Sequence, residues 1–236
     1  MRLRLLIGAL VLVVVAGSLG YAIGHRGATT TTTSTSTTTP SSTTTTPTTT
    51  TTAAQSLTAI WPFATSPLRF TGPVAAARSF AVDYLGFTAP IVGAFQAGDA
   101  RSGEVQVRSS ARGAITTVFV RQLDATNTWW VLGCSTGNLQ ITRPSALEVL
   151  TSPFTITGQS TAYEAVVNVE LRVDGSLTPI VKTTMMGGSM GVMGPFSKVI
   201  SFVKPTVPGG ALVLKTYSAK DGSVVEASVL RVRFSQ

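Results

Sequence analysis

The stretch Tyr163-Glu164-Ala165-Val166-Val167-Asn168-Val169-Glu170-Leu171-Arg172-Val173 decides the fold class. Tyr163, Ala165, Val167, Val169, Leu171 and Val173 recur at every second position, with Glu164, Asn168, Glu170 and Arg172 between them. Successive strand side chains point to opposite faces, so the pattern predicts one buried and one wetted face. Val224–Phe234 repeats it: Leu230, Val232 and Phe234 point inward, Arg231 and Arg233 outward. Five further strands are predicted at Leu139–Thr142, Phe154–Gly158, Thr178–Thr184, Phe196–Val203 and Ala211–Thr216. Turn signals separate several of them: Asp174-Gly175, Gly187-Gly188, Pro208-Gly209-Gly210 and Asp221-Gly222. Seven short strands in about 100 residues predict a β-sandwich over 138–236.

Working outward, residues 57–137 read differently. Gly72-Pro73 opens a helix and Gly86 closes it, the usual asymmetry of Pro inside the start and Gly past the end. Ala77, Phe80, Ala81, Tyr84 and Leu85 form an apolar stripe at helical spacing, while Arg78, Ser79 and Asp83 face away. Pro90–Ser102 reads as a loop. Strands are predicted at Glu104–Arg108, Ile115–Leu123 and Thr128–Cys134, the last two joined by a hairpin loop at Asp124–Asn127. The whole is a small α+β module, one helix on a three-stranded antiparallel sheet. Its size is near the low end for independent stability, so it is expected to lean on its neighbour.

The run Ile141-Thr142-Arg143-Pro144 followed by Thr151-Ser152-Pro153-Phe154-Thr155-Ile156-Thr157-Gly158 resembles the start of a known domain. That domain is the immunoglobulin-like one associated with bacterial spore-germination proteins of the GerM type. The likeness continues through Glu164–Leu171, Gly194-Pro195-Phe196, Gly210–Leu214 and Asp221-Gly222-Ser223, covering roughly 138–236. It implies a sandwich that binds something in the cell envelope, and it brings no catalytic residues with it.

The N-terminus decides where these domains work. Arg2 and Arg4 precede Leu5–Ile23, a 19-residue stretch without a charge, followed by His25 and Arg26. As a helix rising about 1.5 Å per residue it would span roughly 28 Å, near the thickness of a bilayer's hydrocarbon core. A signal peptide cut near Ala16 is the competing reading, and the apolar run beyond that point favours an uncleaved anchor over 1–28. Either way the rest of the chain is exported, because a positive N-terminus stays in the cytoplasm. Residues 29–56 form a linker. Within it, Thr29–Thr52 consists of 18 Thr, 4 Ser and 2 Pro, has no apolar face to bury, and reads as a disordered spacer or a glycosylated stalk.

Composition excludes much chemistry. The 236 residues carry 18 Lys+Arg and 10 Asp+Glu, for a net charge of +8, with one His and one Cys. A single Cys precludes an intramolecular disulfide or a Cys-cluster zinc site, and a single His leaves little room for His-based catalysis. No dense basic run is interleaved with aromatics, so nucleic acid is not an expected partner.

Gly133-Cys134-Ser135-Thr136-Gly137 matches the G-x-S-x-G elbow of α/β-hydrolases, but a strand rather than a helix is predicted after it, and His25 lies upstream. The match is read as accidental. Cys134 alternates with Leu132 and Trp130 and is expected to be buried. Glu164 and Glu170 lie on one strand face roughly 20 Å apart, too far for a pair of glycosidase acids. No cofactor, metal ligand or catalytic residue is therefore assigned.

Two features could serve binding. Trp129 and Trp130 point to opposite faces, so Trp129 is either packed under the helix or part of an exposed platform. Met185, Met186, Met190 and Met193 cluster in a Gly-rich stretch, either tucked against the sandwich edge or adaptable enough to meet a partner. Met185, Met186, Met190, Met193 and Trp129 are the candidate contact residues. The expected partner is an envelope protein or wall polymer, besides the membrane itself. An envelope enzyme or accessory subunit with its site in 57–137, and a spacer with no ligand, are the rival readings.

Overall fold

Pro73 begins helix α1 (Pro73–Ser79), which continues as a π-helical turn over Phe80–Leu85. Gly86 then ends it in the left-handed conformation at φ 86°, which favours a residue without Cβ. The predicted stripe is buried throughout, and Arg78 and Asp83 face solvent. The computed structural model describes residues 57–236; the segments at 1–28 and 29–56 lie outside them. Among the described residues no helix is long and apolar enough to cross a membrane.

The chain is mainly β. Its strands are β1 (Ile91–Ala97), β2 (Ser102–Arg108), β3 (Thr116–Gln122), β4 (Trp129–Ser135), β5 (Leu139–Arg143), β6 (Val149–Leu150) and β7 (Phe154–Ala162). They continue with β8 (Val166–Val173), β9 (Val181–Met186), β10 (Gly188–Ser189), β11 (Gly194–Ile200), β12 (Gly209–Tyr217) and β13 (Val224–Phe234). One nine-stranded sheet runs β1-β2-β3-β4-β13-β12-β8-β9, with β6 added beside β13. A four-stranded sheet has β7 at its centre, paired antiparallel to β11 and β5 and parallel to β10.

Two sequence expectations are corrected, and one sheet runs across the 137/138 division. Pro90–Ser102 is not all loop: β1 occupies Ile91–Ala97 and makes the predicted three-stranded sheet four-stranded on that side. It is an edge strand with mostly exposed side chains, so pairing with β2 rather than burial holds it, and it lacks an alternating signature. The boundary at 137/138 also falls inside a continuous sheet, because β4 pairs antiparallel with β13 through Cys134 and Val229. Past that point Ile60 and Trp61 take up the β4 backbone instead, Val131 N donating to Trp61 O at 2.6 Å. Finally, Tyr163–Ala165 form a short 3₁₀ turn and not the start of β8. Glu164 and Ala165 have φ of 56° and 60°, which breaks the alternation and turns Tyr163 out to solvent.

Two cores lie on opposite faces of the large sheet. The first packs the helical segment (Phe80, Tyr84, Leu85) on Val105, Val107, Val118, Val120, Val131, Val213 and Val229. The second fills the sandwich between the two sheets, from Leu139, Ile156 and Phe196 to Leu212, Leu214, Val232 and Phe234. β12 shows the arrangement most plainly: Ala211 and Val213 enter the first core, Leu212 and Leu214 the second. Of the charged positions read as wetted, Glu170, Arg172 and Arg231 are thereby covered, while Glu164 and Arg233 stay exposed. Glu170, Arg172, Lys215 and Arg231 are buried on the helix side of the sheet.

Cys134 is buried, though with different neighbours from those expected. The β3–β4 register shifts between Phe119 and Val120, leaving Leu132 unpaired as a bulge. This moves Cys134 to the face of Trp129 and Val131, where its thiol donates to Ala227 O at 3.4 Å. Burial pushes the thiol pKa up, well above its ordinary range. Iodoacetamide should therefore leave Cys134 unmodified in the folded chain and label it fully in denaturant, as read by intact mass. Labelling at equal rates in both states would contradict this.

Candidate functional site

The methionine-rich segment is built by close backbone contact rather than by slack. After β9, Gly187 N donates to Ala165 O at 3.0 Å, and β10 pairs parallel with Thr161 and Ala162 at the end of β7. A Cβ on Gly188 would lie 2.1 Å from Val192 O and 2.3 Å from Gly194 N, so only glycine lets the two limbs meet there. The tip is a turn through Met190 (φ 52°) and Gly191 (φ 83°), closed by Val192 N donating to Ser189 O at 2.9 Å. Gly191 N also donates to Thr161 Oγ1 at 3.0 Å. These bonds hold the tip against β7.

The five predicted contact residues do not share one environment. Met186 is 63% exposed and Met190 77% exposed, so both are available to a partner. Met193 is half-buried. Met185 is buried in the sandwich core, because β9 alternates and residue 185 takes its inward position. Trp129 is buried in the first core against Phe95, with ring centroids 5.1 Å apart in an edge-to-face pair. The exposed platform is thus ruled out for Trp129, which the helical segment and β1 cover. Trp130 is fully buried too, with the Arg69 guanidinium 4.9 Å from its ring.

Three residues not selected from the sequence join the site. Tyr163 and Val192 are 60% and 71% exposed, the first thrown outward by the positive-φ turn described above. The third is Glu226. Asn138, Thr161, Tyr163, Met190, Thr216 and Glu226 line a hollow of about 300 Å³ at the end of the sandwich. Glu226 is buried, and every hydrogen bond it accepts comes from a neutral donor. Thr136 Oγ1 donates to its Oε2 at 2.6 Å, Asn138 Nδ2 reaches both oxygens at 3.1 and 3.3 Å, and Thr216 Oγ1 donates to Oε1 at 3.4 Å. A signal for it exists in the sequence: alternation along β13 places Glu226 and Ser228 on the apolar side of Leu230, Val232 and Phe234.

The other sequence motif takes no elbow geometry. Ser135 is the exposed last residue of β4, and the chain turns through Thr136–Asn138 directly into β5. A nucleophile elbow needs a helix at that point. An apolar groove of about 630 Å³ runs beside it, with Phe119, Leu132, Ile141 and Leu230 in its walls.

Residues 138–223 match the family model described as the immunoglobulin-like domain of bacterial spore germination. The matched region contains the entire four-stranded sheet, the methionine turn and strands β8, β9 and β12, and it stops just before β13. No curated protein and no solved structure matches the chain.

Proposed function

We propose that this chain is a non-catalytic binding or scaffolding protein of the bacterial cell envelope, held at the membrane by its N-terminal helix and carried outward on the Thr-rich stalk. The observation that carries the reading is the set Tyr163, Met186, Met190 and Val192, large apolar side chains left in water, Met190 and Val192 on a hydrogen-bonded turn. Exposed apolar side chains that the fold actively holds outward mark contact sites more often than scattered ones do. Methionine suits such a surface, since its unbranched thioether adapts to irregular partners. The matched family's description names an immunoglobulin-like domain, an architecture shared by many cell-surface domains. The uncharged stretch Leu5–Ile23 between basic flanks supports export and anchoring.

A photoreactive methionine analogue incorporated in living cells should crosslink the chain to a discrete envelope partner. Replacing Met186 and Met190 together by Ser should remove that adduct while leaving the thermal unfolding midpoint within a few degrees, because both side chains are already exposed. An adduct unchanged by the double substitution would refute the reading.

A further inference from the structure

Two glutamates are buried in this fold, and they are treated differently. Glu170 is answered by two cations: Lys215 Nζ lies 2.9 Å from Oε1, and Arg172 Nε donates to Oε2 at 2.9 Å. Glu226 is buried to the same degree, with 4% of its surface exposed in each case, yet no Lys or Arg among the described residues pairs with it. Lys215 is the nearest basic residue along β12, but alternation puts it on the opposite face from Thr216, where Glu170 holds it. A carboxylate shut away from water without a counter-charge is costly, and folds normally supply the missing cation.

The two oxygens of Glu226 are not held equally. Oε2 is taken by the short Thr136 bond and by Asn138, whereas Oε1 has only two long bonds, at 3.3 and 3.4 Å. A carboxylate oxygen offers two lone pairs at ordinary distances, so Oε1 retains capacity for a stronger donor. Glu226 lines a hollow of about 300 Å³ that Tyr163 and Met190 also line. That is the lower limit of ligand pockets, which run to about 1,000 Å³, and suits one side chain rather than a polymer. A single buried anion in a lining that also includes Met190 and Tyr163 matches a cation on a hydrocarbon stem, the stem lying on Met190 and the Tyr163 ring. A bare metal ion fits poorly, since among the described residues no group of three or more His, Cys, Asp or Glu side chains could hold one.

We propose that this hollow binds a primary alkylammonium group, with Glu226 as its counter-ion and Tyr163 and Met190 packing on its stem. The inference rests on the binding function proposed above and names the chemistry that the methionine turn would recognise. A lysine side chain of a protein and the free side-chain amine of a wall peptide present the same group to it.

The test uses the full-length chain labelled at its methionine methyls, with the Met190 signal as local reporter. Nα-acetyl-lysine methylamide should shift that signal saturably, and the norleucine analogue, which keeps the stem and lacks the amine, should not. Glu226→Gln should weaken binding of the lysine probe by about tenfold or more, the usual worth of a charge-assisted bond. Tyr163→Ser, at an exposed position, should weaken it without any folding penalty. Repeating the titration with a lysyl peptide and with a wall stem peptide bearing a free side-chain amine identifies the source by the tighter of the two. Equal shifts from the norleucine analogue, an unchanged affinity in Glu226→Gln, or no saturable shift would overturn the proposal. If the amine fails while the in-cell adduct of Met186 and Met190 persists, the pocket assignment falls and the binding function stands. If the amine binds while the in-cell adduct ignores the double substitution, the pocket stands and the methionine contact falls.

Discussion

Glu170→Ala should destabilise the chain by about 3–5 kcal/mol, the cost of leaving buried charge without its partner. At roughly 2–4 °C per kcal/mol for a chain of this size, the unfolding midpoint should fall by at least about 6 °C. The substitution strands two cations at once. Lys215 and Arg172 are buried on the same face and both reach Glu170, and Arg172 is further fixed by donating to Tyr84 O at 2.7 Å. The Arg172 guanidinium also stacks 4.7 Å from the Tyr84 ring, so the network ties β8 and β12 to the helical segment. Glu170→Gln, which keeps the shape and one acceptor, should cost less. Equal losses from Ala and Gln would show that charge is not what matters at this position.

The same network sets a pH dependence. Burial alone raises the Glu170 carboxyl pKa, but the hydrogen bonds and charges of Lys215 and Arg172 outweigh it and hold it below the ordinary value of 4.5. A carboxyl depressed in the folded state stabilises fully above its unfolded pKa. That stability drains away as the pH falls from the unfolded value through the lower folded one. The acid limb of the wild-type stability curve should therefore be steeper than that of Glu170→Ala, measured by denaturant unfolding from pH 6 downward.

The burial of Glu170 also marks the limit of what is legible in the sequence. Strand positions are legible because alternation is a local property: Val167, Val169 and Leu171 fall on one face whatever lies beyond. What covers the other face is not local. Glu170 and Arg172 neutralise each other two residues apart on one strand face, so they can sit under a second layer as readily as under water. The pattern of letters is identical in the two cases. For the same reason the helix stripe at Ala77–Leu85 is readable while its docking site on β12 and β13 is not. At the candidate site, Met186 and Met190 stand out by composition. Met185 passes for a surface residue only while the strand phase is ignored, whereas for Trp129 phase tells which face the ring takes and not what covers that face. Glu226 is the opposite case: composition is silent about it, and its phase along β13, a charge on an inward position, is the one signal that singles it out.

Fragment 138–236 should fold on its own, and fragment 57–137 should not. Every residue of the sandwich core lies between Leu139 and Phe234, so cutting at 137/138 removes none of it. The face that the cut uncovers carries Glu170, Arg172, Lys215 and Arg231 among its apolar side chains, and water can solvate those charges. The first core has no such independence. Phe80, Tyr84 and Leu85 pack together with Ala211, Val213, Val224, Ala227 and Val229, and β4 ends beside β13. Without these, fragment 57–137 keeps its secondary-structure signals but exposes the apolar side chains that fixed the helix on the sheet. Fragment 138–236 should give dispersed amide spectra and a cooperative melt, whereas 57–137 should give neither. A cooperative melt for 57–137 would refute the shared first core. One further measurement ties this to Glu170: in fragment 138–236 the network faces water, so Glu170→Ala should cost no more than about 1 kcal/mol there, the worth of an exposed ion pair. A full-sized loss in the fragment would mean that the helical segment is not what makes this carboxylate matter.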